Sequence, residues 1–97
     1  MYWATTTFRV SKWSDELRSA LRAWRDHVTA QHSQVTEVRC YRFNGGTSIV
    51  WQEGFEDFHG YQALIDGLTP ACDTVMEAVF RHAVPGTQES RIWSDAL

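Results

Sequence analysis

The chain has 97 residues but only two cysteines, no surplus of basic residues and no long apolar run. Each scarcity excludes something. Cys40 and Cys72 lie far apart and form no Cys-x-x-Cys pair, so neither a disulfide framework nor a zinc motif is indicated. Both read as small buried hydrophobes. No stretch approaches the ~18 apolar residues of a membrane span. The amino terminus has no basic segment leading into an apolar run and a small-residue cleavage site. A cytoplasmic protein without a membrane partner is therefore expected. The net charge of −3 argues against nucleic acid as a partner, because phosphate binding needs a basic surface.

Several chemical motifs are missing as well. There is no His-Glu-x-x-His and no histidine pair at i, i+4. His27 and His32 are five apart and should diverge around a helix, so no side-chain metal site is expected. No Gly-x-Ser-x-Gly nucleophile turn occurs. Gly45-Gly46 lacks the Gly-x-Gly-x-x-Gly spacing of a phosphate loop and precedes a strand rather than a helix.

What the chain does have is an ordered alternation of elements in one domain, residues 1–97. Tyr2 to Val10 alternates small or apolar residues with polar ones and reads as a strand. Ser14 suits an N-cap, and Asp15 and Glu16 suit the first turn of a helix. Leu17, Ala20, Leu21, Trp24 and Val28 then share one helical face. Val35 to Phe43 is a second strand. Asn44-Gly45 supports the two positive φ values of a type I′ hairpin turn. Thr47 to Glu53 returns. Glu56 to Gly67 reads as a helix with Phe58, Tyr61, Leu64, Ile65 and Leu68 on one side. Thr69-Pro70 starts a third helix with cap and first-turn proline. Its apolar face is Cys72, Val75, Met76, Val79, Phe80 and Ala83. Thr87 to Trp93 is the last strand. The order is β-α-β-β-α-α-β, an α+β class.

Helices that cover one face of an antiparallel sheet leave the other to water, and that face should then be polar. Here both faces carry apolar residues: Val38 and Cys40 against Tyr41 and Phe43, Ile49 and Trp51 against Val50, and Ile92 against Trp93. A second copy of the chain, related by a two-fold axis, is the simplest cover. The hairpin Val35 to Glu53, the passage Trp51-Gln52-Glu53-Gly54-Phe55-Glu56-Asp57-Phe58 and the closing Ser90-Arg91-Ile92-Trp93 carry a resemblance to the dimeric α+β barrel superfamily. That group includes antibiotic-biosynthesis monooxygenases, haem-degrading monooxygenases, stress-responsive barrel proteins and NIPSNAP-like proteins. The resemblance implies a ferredoxin-like subunit, a homodimeric barrel and, in enzymatic members, a pocket between sheet and helices. It also implies a contrast. Haem-degrading and quinone-forming members carry an Asn on the first strand, where this chain has Thr5, Thr6 and Thr7.

Candidate chemistry is sparse. His59 lies opposite the apolar stripe of its helix and His32 at a fraying end, whereas His27 and His82 sit at the edges of apolar faces. His82 is the first candidate for a general base, since imidazole titrates near neutrality; haem ligation through it is a further possibility. Tyr61, on the core side of its helix, is a second proton-transfer candidate. The five tryptophans and 13% aromatic content suit an aromatic-lined cavity. Trp51, Tyr41 and Trp93 would line it and bind substrate, with Arg39 and Arg91 as its cationic end and Arg39 or Arg91 stabilising a developing enolate. Alternatively both arginines make cross-strand ion pairs with Glu37 or Glu89. Glu53, Glu56 and Asp57 read as acids favouring the amino terminus of the second helix. Two functions follow. One is an enzyme without metal or organic cofactor, of monooxygenase, cyclase or isomerase type, acting on a small hydrophobic, aromatic or polyketide-like molecule. The other is a non-catalytic ligand-binding or assembly homodimer.

Overall fold

The structure is a computed structural model that describes residues 1–97. Its elements are β1 (Tyr2–Arg9), α1 (Asp15–Gln31), β2 (Glu37–Phe43), β3 (Ser48–Phe55), α2 (Phe58–Asp66), α3 (Pro70–Phe80) and β4 (Glu89–Ser94). The four strands form one antiparallel sheet in the order β2-β3-β1-β4. This is the split β-α-β arrangement of a ferredoxin-like subunit. No helix is long and apolar enough to cross a membrane.

Local chemistry sets the helix starts. The Ser14 hydroxyl accepts from the Leu17 amide, Asp57 accepts from Gly60 and Thr69 accepts from Cys72. Each satisfies one of the amides a first helical turn leaves free. Pro70 stands where its missing N–H costs nothing. The hairpin differs from the two-residue turn expected. Asn44, Gly45 and Gly46 all have positive φ, and pairing begins at Phe43 with Ser48, so the loop has four residues. Gly46 is also packed. A Cβ there would lie 2.6 Å from the Trp13 Cβ.

β3 runs to Phe55, two residues past the end expected, because β1 pairs with its whole length from Arg9–Ser48 to Tyr2–Phe55. Period-two alternation sends Ile49, Trp51, Glu53 and Phe55 to the helix side, and all four are buried. The dry core forms there from Phe8, Leu17, Leu21, Trp24, Val28, Ile49, Trp51 and Val79. The opposite face carries no helix. Trp3 stacks on Trp93 with centroids 6.2 Å apart, and Tyr41 and Trp93 remain 44% and 46% exposed.

Candidate functional site

On the helix side the core fills only part of the sheet. Beneath α2 and the first half of α3 lies a cavity of about 410 Å3, within the range of small-molecule sites. Its floor is Ala4 and Thr6 of β1 and Ser90 and Ile92 of β4; its roof includes Tyr61, Leu64, Ile65 and Leu68. Trp24 and Phe80 make its inner wall and belong equally to the packing beyond it. Trp24 lies flat on Trp51, with centroids 3.7 Å apart and planes 2° from parallel. Phe80 meets Trp24 and Phe8 edge-on. Together these rings form a rigid aromatic partition between solid core and open cavity.

One carboxyl lies buried in this wall. Glu53 is only 9% exposed and borders the cavity. Its Oε1 accepts a 2.8 Å hydrogen bond from the Trp51 indole N–H. Its Oε2 is buried and has no partner. Burial pushes its carboxyl above the usual glutamate range, and the Trp51 hydrogen bond opposes that rise. A carboxyl so poised can take or give a proton nearer neutrality. Cys72, in the first turn of α3, stands close by in the same wall. Its thiol is raised first by burial and then by the Glu53 and Asp73 charges.

The structure distributes the sequence-selected residues between two faces. Tyr61 lines the cavity, half-buried and edge-on to Phe55 at 5.8 Å. Arg91 meets the cavity only at the β4 edge: it pairs with Thr5 and shares the parity of Trp93, so its side chain stands on the open face beside Glu89. Trp51 reaches the cavity through Glu53. Arg39, Tyr41 and Trp93 do not line it, because they have the opposite strand parity and stand on the open face. There the Arg39 guanidinium lies 4.9 Å from the Trp3 ring centroid and bonds Glu37 at 2.6 Å. The Trp93 indole donates to the Thr5 hydroxyl at 2.8 Å. Arg91 lies 4.0 Å from Glu89. These ion pairs run along one strand, at i and i+2, rather than across strands. His82 follows α3, beside the first turn of α1, with Nε2 3.9 Å from a Glu16 carboxylate oxygen. It does not line the cavity.

Two expectations change. Glu53 does not join Glu56 and Asp57 at the α2 amino terminus: Asp57 alone caps it, and Glu53 faces inward. The signal was present in β3, where Glu53 shares the parity of Ile49, Trp51 and Phe55. Nor do His27 and His32 diverge. His32 is the C-cap residue of α1 with φ −126° and ψ 85°. Leaving the helix brings its ring back to within 5.6 Å of the His27 ring.

No family model and no curated protein sequence matches the chain. Solved structures do. A cofactor-independent oxygenase, SnoaB, from Streptomyces nogalater superposes with a TM-score of 0.79 over 99% of this chain and 93% of its own, at 13% identity. A NIPSNAP domain protein from Burkholderia xenovorans gives 0.64 over 99% and 95%, at 19% identity. A monooxygenase from the ActVA-Orf6 gene of Streptomyces coelicolor, solved with nanaomycin D, gives 0.70 over 97% and 86%, at 15% identity. The chain shares the ferredoxin-like α+β subunit fold of these proteins. At these identities the likeness is one of fold, and chemistry has to be argued from the chain's own residues.

Proposed function

We propose that the chain is a small-molecule barrel enzyme that binds an aromatic or polyketide-like substrate beneath α2 and α3 and moves a proton between that substrate and Glu53. The observation that carries this reading is the buried Glu53 carboxyl. One oxygen is held by Trp51, and the other is without a partner in a largely apolar cavity wall. The Trp24, Tyr61 and Phe80 rings suit a flat ligand. The fold shared with a cofactor-independent oxygenase and with a monooxygenase that carries nanaomycin D supports the substrate class.

The chemistry starts with one transfer. Glu53 Oε2 accepts a proton from an acidic C–H or phenolic O–H, and the electron pair stays on the substrate as an enolate or phenolate. Tyr61, in the cavity roof, is the hydrogen-bond donor we assign to that anion. The electrophile that meets the enolate decides the outcome. The proton returned from Glu53 at a different atom gives isomerisation. An internal carbonyl gives ring closure. Dioxygen, as a named co-reactant, gives oxygenation: it oxidises the carbanion carbon as a C–O bond forms, the resulting peroxide takes the proton back from Glu53, and loss of water across its O–O and C–H bonds leaves a carbonyl. The reading needs neither His82 nor Arg39 at the reacting centre.

A phenolic naphthoquinone such as juglone tests the transfer, because phenol and phenolate differ in visible absorbance. The bound dye is expected to show phenolate absorbance in the wild type and phenol absorbance in Glu53→Gln at equal occupancy. The same phenolate signal in both proteins would remove Glu53 from the role.

A second reading rests on a different observation, the helix-free sheet face with Tyr41, Phe43 and Trp93 all exposed. We propose that a second copy covers this face and makes the homodimeric barrel. Assembly or ligand storage would then be the function if no turnover accompanies binding.

A further inference from the structure

We propose that His27, His32 and Cys72 form a binding site for one metal ion of the zinc class, separate in its chemistry from proton transfer at Glu53. A ligand atom from each of the three lies within 4.8 Å of the others. The residues come from three places: the last turns of α1, its C-cap and the first turn of α3. Packing of α1 against α3 therefore assembles the site, which explains why no linear motif announces it.

The surroundings fit a ligand set. Nε2 of both histidines is buried without a hydrogen-bond partner. Two such orphaned nitrogens destabilise a fold unless something fills them. His32 is only 4% exposed and Cys72 only 2%. The pairing of thiolate with imidazole favours zinc-class ions over magnesium or calcium, which prefer oxygen. Zinc bonds of about 2.0–2.3 Å put tetrahedral donors roughly 3.5 Å apart. Binding therefore has to draw the donors together by about 1 Å. On binding, the Cys72 thiol releases its proton to solvent as the S–metal bond forms. Three protein ligands leave one coordination position for water or a further donor.

Cobalt(II) titration of the ligand-free protein tests the site by its own spectrum, independently of any substrate. One equivalent is expected to give thiolate-to-cobalt charge-transfer absorbance and the visible bands of tetrahedral cobalt, both displaced by zinc. Cys72→Ser should abolish the charge-transfer band, while Cys40→Ser should leave it. His27→Gln, at a half-buried position that the fold tolerates more readily, should weaken binding by ~10-fold or more. In parallel, excess zinc should raise the melting temperature of the wild type but not of His27→Gln. No charge-transfer band, or one that survives in Cys72→Ser, would overturn the proposal. So would a melting temperature indifferent to zinc.

Discussion

Trp51 is bound twice: its ring lies 3.7 Å from that of Trp24, and its indole N–H donates to Glu53 at 2.8 Å. The pair joins the core to the cavity. Stacking fixes the plane of Trp51, and that plane aims its one donor at the carboxyl. Trp51→Phe keeps most of the stack but leaves Glu53 without a partner, so a loss of about 1–3 kcal/mol is expected. Trp24→Ala removes the stack itself and should cost about 3–5 kcal/mol. Urea unfolding measures both as lower midpoints at unchanged slope.

Burial raises the folded-state affinity of Glu53 for its proton above that of the unfolded chain. The sign follows from linkage. Below the usual glutamate range both states are protonated and the stabilising contribution is complete. It is lost as pH rises through the raised folded value, because the unfolded state ionises more readily. Glu53→Gln lacks that slope. The variant should gain stability relative to the wild type as pH rises from acid to neutral. Paired unfolding curves across that interval check it, and parallel pH profiles would count against the buried carboxyl.

The hairpin loop carries a separate test. Gly46 has φ +96° and its missing Cβ would lie 2.6 Å from that of Trp13. Gly46→Ala therefore meets both backbone strain and a clash with a residue packed on the core. A destabilisation above ~1 kcal/mol is expected. Gly45→Ala has the positive φ but open space and should cost less. Thermal melts of the two variants compare them directly.

The uncovered sheet face predicts self-association. Trp93→Ser and Phe43→Ser remove exposed apolar side chains and leave the helix-side core alone. Native mass spectrometry should show a dimer for the wild type and a larger monomer fraction for the double variant. A wild-type monomer would remove the second copy from the account.

How much of this was legible in the sequence follows from range. Ser14, Asn44-Gly45 and Thr69-Pro70 act within a few residues, so helix starts and the hairpin position could be read directly. The apolar parity of both sheet faces was legible for the same reason. The site was not, because it depends on contacts far apart in sequence. Glu53 is buried because β1 pairs along all of β3 and places Ala4 opposite it, with α2 and α3 closing above. His27 and His32 meet because a C-cap residue leaves helical geometry, a turn that spacing alone does not reveal. Trp51, Tyr41 and Trp93 were expected in one cavity with Arg39 and Arg91, but Trp51 has the helix-side parity and the other four the open-face parity. Alternation along one strand does not give the register between strands or say which face the helices cover.

The central claim is that the cavity under α2 and α3 holds a flat organic ligand. Ala4 sits on its floor, so Ala4→Leu fills space there without touching the open face. The most direct measurement is tryptophan-fluorescence titration with nanaomycin D of the wild type, Ala4→Leu and Trp93→Ser. Saturable quenching is expected in the wild type and Trp93→Ser, with affinity reduced ~10-fold or more in Ala4→Leu, since a displaced ring loses contacts worth more than 1.4 kcal/mol. Undiminished binding in Ala4→Leu, or its loss in Trp93→Ser alone, would place the ligand elsewhere and contradict the account.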